Sequence, residues 1–147
     1  MPRPTHNWTH SAANSLITEQ LNYNADAERQ SAITALHNVR ANVEQHAVVA
    51  AVLSCVRTHR PACFFVDGPG GTGKTFVYNT IAHALRADRR IVLCSASSGI
   101  SAILLRGGRT AHSTFKIPIL NLCDTSTCSF SKNSARADLM RATDVII

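Results

Sequence analysis

One run of this chain, Gly68-Pro69-Gly70-Gly71-Thr72-Gly73-Lys74-Thr75, has the residue types and spacing needed to hold the phosphates of a nucleoside triphosphate. Glycines let a backbone curl until successive amides converge on an anion. Lys74 would bring a mobile ammonium to the β- and γ-phosphates, and Thr75 a hydroxyl to Mg²⁺. Phe76 continues the first turn of a following helix whose partly positive end faces the same anion. The alternative is a glycine-rich turn with no ligand. Against it stands the context, an apolar run before the loop and an amphipathic pattern after it. The loop does not identify a reaction, because kinases, GTPases, transporters and helicases all use one.

The elements that must position this loop can be read from periodicity. Residues 1–24 lack a repeat and include Pro2, Pro4 and Trp8, so an extended arm anchored by Trp8 is expected. A helix is predicted over Ala25 to about His37, and a second from Asn42 to about Thr58 with Val48, Val49, Val52, Leu53 and Val56 on one face. Ala62 to Asp67 is nearly all apolar after a proline, the pattern of a parallel strand buried on both faces. A helix from Lys74 to about Leu85 carries Val77, Ile81 and Leu85 four residues apart. A strand over Arg90–Ser95, a helix from about Ser98 to Leu105 closed by Gly107-Gly108, and an irregular stretch over 116–134 follow. A short helix over Ala135–Arg141 and a final strand over Thr143–Ile147 complete the pattern. Strands alternating with helices imply an α/β fold with a parallel sheet.

Composition narrows the classes. At 147 residues and 45% apolar the chain suits one hydrophobic core. No apolar run approaches the roughly 18 residues that cross a bilayer, and no apolar segment behind Met1-Pro2-Arg3-Pro4 suggests a secretory signal. The five cysteines are scattered; Cys123 and Cys128 lack the second pair that a zinc site needs, so reduced thiols in an intracellular protein are expected. The net charge is +6, and every cation but Lys74, Lys116 and Lys132 is arginine. Such an excess suits a polyanionic partner, although the arginines are dispersed.

Three stretches taken together resemble a known set: Phe64-Phe65-Val66-Asp67 into the loop, Ser95-Ala96-Ser97-Ser98-Gly99-Ile100, and Gly108-Arg109 through Pro118-Ile119. From about Asn42 to the last residue the chain is similar to the petite-integration-frequency (Pif-type) DNA helicases, especially the version carried by Helitron rolling-circle transposons. The resemblance implies an incomplete RecA-like P-loop NTPase domain over 25–147, with a parallel sheet flanked by helices. It implies ATP and Mg²⁺ as cofactors and single-stranded DNA as partner. It also implies roles in DNA repair, recombination or telomere maintenance, and a nuclear location in a eukaryote or a cytoplasmic one otherwise. By the same resemblance, Ser97, Ser98 and Gly99 lie against the DNA backbone, and Arg109, Thr110, His112, Ser113 and Lys116 form the next DNA-contacting element. Ser97 or Ser98 is equally suited to cap a helix, and Phe115 to anchor a core rather than stack on a base. Ala41-Asn42-Val43-Glu44-Gln45 resembles the family's Q motif, in which a glutamine bonds the adenine edge. Gln45 also stands three residues after Asn42, as in a capping box, and both readings remain open.

In Pif-type helicases the third strand is followed by an Asp-Glu pair that holds Mg²⁺ and orients the attacking water. Here Val145-Ile146-Ile147 is the last strand, and Asp144 precedes rather than follows it. The resemblance therefore leads us to expect a fragment of a first motor domain, lacking that pair, the second motor domain and its arginine finger, and inactive alone. Two rivals remain: an inactive nucleotide- or DNA-binding transposon remnant, and a small-molecule kinase of the P-loop class.

Overall fold

The computed structural model describes residues 14–120 and 123–147. Three asparagines open its first three helices. The Asn14 side chain accepts from the amides of Leu16 and Ile17 at the start of α1 (Ser15–Leu21). Asn24 accepts from Asp26 and Ala27 to start α2 (Ala25–Val39), and Asn42 from Glu44 and Gln45 to start α3 (Val43–Arg57). Each cap satisfies amides that the first turn leaves without partners. The expected extended arm is therefore corrected over residues 15–21, which are helical. Asn14 caps them, and Ile17 packs against Ile91, Leu93 and Leu139. Trp8 and its expected anchoring lie outside the described residues.

Ala62–Asp67 is not a strand. Strand formation needs a neighbouring edge to take the backbone amides and carbonyls, and no described segment pairs with this one. Phe65 is 92% exposed. Phe64 and Val66 border a cavity of about 870 Å³ whose other walls include Val52, Tyr78 and Ile147. Beyond it, α4 (Lys74–Ala87) buries Val77, Ile81 and Leu85 as its four-residue spacing predicts.

The sheet is short and parallel. The run expected as one strand divides into β1 (Val92–Leu93) and β2 (Ser95–Ala96). After α5 (Gly99–Ile103) come β3 (Arg109–Thr110), α6 (Ala111–Phe115), α7 (Ala135–Ala142) and β4 (Val145–Ile146). β1 pairs with β4, Val92 opposite Val145, and β2 pairs with β3, Ser95 opposite Arg109. The two ladders abut at Cys94, whose carbonyl accepts from the Arg109 amide.

Successive residues of a strand face opposite sides, and here each side has its own layer. Val92 and Cys94 join Val39, Val49, Val77 and Ile81 beneath α2, α3 and α4. Ile91 and Leu93 join Ile17 and Leu139 beneath α1 and α7. The continuous apolar run Ile91–Cys94 is thus buried on both faces, as a parallel strand between helical layers requires.

Among the described residues two charged side chains are buried, and they tie α2, α4, β1 and the segment after α5 together. Glu28 of α2 accepts from the Arg106 guanidinium at 2.7 Å and meets His83 Nδ1 of α4 at 2.6 Å. Burial alone would raise its pKa, but these hydrogen bonds hold the carboxyl below its ordinary value. Arg86 donates to the carbonyls of Arg106 and Val92, and its guanidinium lies 4.1 Å from the centre of the Tyr23 ring. Gly107, at φ +67°, leaves no room for a β-carbon beneath the Tyr23 hydroxyl. Among the described residues no helix is long and apolar enough to cross a membrane.

Candidate nucleotide site and nucleic-acid surface

α4 begins directly at Lys74, and among the described residues no side chain caps its first turn. Gly73 precedes it in a left-handed conformation, φ +80°, where a β-carbon would lie 2.6 Å from Gln45 Nε2. The amides opening α4 therefore face outward without a competing hydroxyl or carboxylate, as an anion site at a helix N-terminus requires. Lys74 Nζ donates to the carbonyls of Gly68 at 2.5 Å and Pro69 at 2.9 Å, which holds the ammonium over the loop. The Thr72 hydroxyl donates to the Pro69 carbonyl at 2.9 Å and keeps the loop curled. Thr75 is exposed in the same first turn, and Phe76 beside it borders a groove between α2 and α4. Gly70 and Gly71 stand open at the crest.

Gln45 does not complete a capping box. Asn42 caps α3, but its own amide donates to the Val39 carbonyl, while Gln45 Nε2 donates to the Thr72 carbonyl at 2.9 Å. Its side chain has turned onto the phosphate loop, which ties α3 to the site. Asp144 is committed elsewhere. Its carboxylate accepts from the Ile91 amide and from Arg90, pinning the start of β4 to β1. Among the described residues no group of three or more His, Cys, Asp or Glu side chains is arranged to hold a metal.

The other two loops emerge together. β2 and β3 run parallel, so Ser97-Ser98-Gly99 and the segment from Ala111 to Lys116 leave from the same end of that ladder. Ser97, Ser98 and Gly99 are exposed. Ser98 is the α5 cap, accepting from the Ser101 amide at 3.2 Å. Thr110 caps α6 through the Ser113 amide, and Lys116 closes it in a left-handed conformation, φ +52°. Two cap positions expected from the sequence as phosphate contacts thus have a local structural task. His112, Ser113 and Lys116 remain exposed, while Phe115 is half-buried.

A family model described as PIF1-like helicase matches residues 40–147. The chain belongs to this family. Two relatives extend the likeness. The ATP-dependent DNA helicase PIF4 of Trypanosoma brucei brucei (strain 927/4 GUTat10.1) is 35% identical over 89 residues, 58% of this chain and 11% of that protein. The ATP-dependent DNA helicase Pif1 of Psychrobacter sp. (strain PRwf-1) is 36% identical over 84 residues, 56% of this chain and 13% of that protein. The chain therefore matches little more than a tenth of the length of these curated relatives.

Within this PIF1-like chain, sequence reasoning missed two residues that border the second loop. Glu19 of α1 forms an ion pair with Arg109. Arg136 of α7 donates to the carbonyls of Ser113 at 3.3 Å and Thr114 at 2.7 Å. The signal for Glu19 was available in part, since Asn14 followed by Leu16, Ile17 and Leu21 is a cap before helically spaced apolar residues. Nothing local points Arg136 toward α6.

Proposed function

We propose that this chain supplies the nucleotide-gripping part of the first, RecA-like motor domain of an ATP-dependent DNA helicase. The observation that carries the reading is the uncapped start of α4, with the Lys74 ammonium held over the loop and the Gln45 amide bonded to it. Backbone amides from Gly70 to Thr75 would cradle the phosphates, and Lys74 would neutralise their charge. The exposed Thr75 hydroxyl suits a Mg²⁺ ligand, and a Mg²⁺ bound there would offset phosphate charge during transfer. Gln45, bonded to the loop at Thr72, would read the adenine edge, and Phe76 in the first turn of α4 would lie beside the nucleotide. The cationic loop through Arg109, His112 and Lys116, beside Ser97–Gly99, would hold single-stranded DNA by its backbone without reading sequence. Family membership favours this reading over a small-molecule kinase. Because Asp144 is engaged by Arg90 and Ile91, we expect binding without steady-state turnover from the 147-residue chain.

The test is a titration of fluorescent ATP analogue with Mg²⁺. Saturable binding that Lys74→Ala weakens at least about ten-fold is expected, since a charge-assisted phosphate contact is lost. Equal binding by both proteins would overturn the nucleotide site. DNA-stimulated hydrolysis by the isolated chain would overturn the expectation of binding alone.

A further inference from the structure

α1 is secured without its acidic residue. Ile17 is buried in the layer with Ile91, Leu93 and Leu139, and Asn14 Nδ2 donates to the Ala135 carbonyl at 2.8 Å. Leu21 accepts from the Arg89 guanidinium through its carbonyl. Glu19 instead points to Arg109, and the two side chains are 50% and 47% exposed. Among the described residues this carboxylate is the sole partner of the Arg109 guanidinium. Both residues border a narrow cleft with Arg136 and Thr114. Among the described residues the Thr114 hydroxyl is buried there without a partner, and the Arg136 guanidinium donates to backbone carbonyls. Glu19, Arg109 and Arg136 thus line one cleft, in which the carboxylate pairs with Arg109.

We propose that Glu19 is an internal stand-in for a DNA phosphate, which single-stranded DNA must displace to engage Arg109. This rests on the reading of Arg109–Lys116 as a DNA surface. A carboxylate and a phosphate offer oxygens to the same guanidinium donors. An exposed ion pair holds weakly, whereas each phosphate neutralised by the protein also releases counterions. The exchange therefore favours DNA, but Glu19 lowers the affinity and makes Arg109 available only once a strand arrives. α1 stays docked through Ile17 and Asn14 during the exchange.

The experiment is a binding titration of the 147-residue chain against a fluorescein-labelled oligothymidylate. It compares wild type, Glu19→Gln, Arg109→Gln, the double variant and Lys116→Gln at low and moderate salt, with a thermal melt of each to confirm folding. Glu19→Gln is expected to tighten binding about three- to five-fold at low salt, the scale of one exposed ion pair, with the gain shrinking as salt screens it. Arg109→Gln is expected to weaken binding, and Glu19→Gln to add nothing in that background. Unchanged or weaker binding by Glu19→Gln overturns the proposal and makes Glu19 a residue that positions Arg109. A gain that survives in the Arg109→Gln background overturns it too, in favour of a general charge effect. If Arg109→Gln and Lys116→Gln both leave affinity unchanged, the DNA surface itself is wrong, and the role of Glu19 falls with it.

Discussion

Gly73 shows how much a single position constrains the site. Its φ of +80° is one that a side chain tolerates poorly, and a β-carbon would collide with the Gln45 amide. Gly73→Ala should therefore disturb both the first turn of α4 and the Gln45–Thr72 contact. We expect loss of nucleotide-analogue binding with about 1–3 kcal/mol of lost stability, the range for backbone strain of this kind; the titration and a urea melt on the same protein separate the two. Cys123 is a different case. Hydroxyls of Ser126 and Thr125 hydrogen-bond its exposed sulfur and bring the thiol down to about 7. Its alkylation by iodoacetamide should rise through an apparent pKa near 7, and Ser126→Ala should move that midpoint upward. A midpoint at the ordinary thiol value in the unmodified protein would contradict the hydrogen-bonded geometry.

Among the elements, two apolar segments of similar appearance have opposite fates. Ile17 belongs to a seven-residue helix and is 5% exposed, whereas Phe65 belongs to an unpaired stretch and is 92% exposed. Truncating a buried isoleucine costs about 2–5 kcal/mol, while a change on the open surface stays within about 0.5 kcal/mol. Ile17→Ala should accordingly lower the urea midpoint sharply and free α1, and Phe65→Ser should leave it nearly unchanged. If Phe65→Ser proved as costly as Ile17→Ala, the stretch Ala62–Asp67 would be packed in solution as its apolar pattern suggests. The helices are otherwise set by local chemistry. Asparagine caps start α2 and α3, whereas α4 follows Gly73 without a side-chain cap and buries Val77, Ile81 and Leu85 by their four-residue spacing.

Across the whole molecule, the buried Glu28 carboxylate joins α2, α4 and the segment after α5 through His83 and Arg106. Its folded-state pKa is lowered, so its contribution to stability is complete above the ordinary carboxylate range and is lost as pH falls through the depressed folded value. Stability measured by urea melts should fall on acidification through that window. Glu28→Gln should flatten that limb while costing about 2 kcal/mol near neutral pH, where it leaves the Arg106 guanidinium without its charged acceptor. An unchanged acid limb in Glu28→Gln would assign the acid sensitivity to other groups.

The sequence by itself determined the Gly68–Thr75 loop, the helix it opens, the span of α2 and the cap and face of α3, because these depend on residues within a few positions of one another. It also placed Ser97–Gly99 and Arg109–Lys116 among the groups of interest through resemblance, though not their proximity. Only the tertiary structure decided that β2 and β3 run side by side, that Gln45 turns from Asn42 to Thr72, and that Glu19 reaches Arg109 across 90 residues of chain. It likewise left Ala62–Asp67 without a ladder. The physical reason is common to all of these. A strand needs another strand's edge and a charge needs a partner, and neither the edge nor the partner is a property of the local sequence.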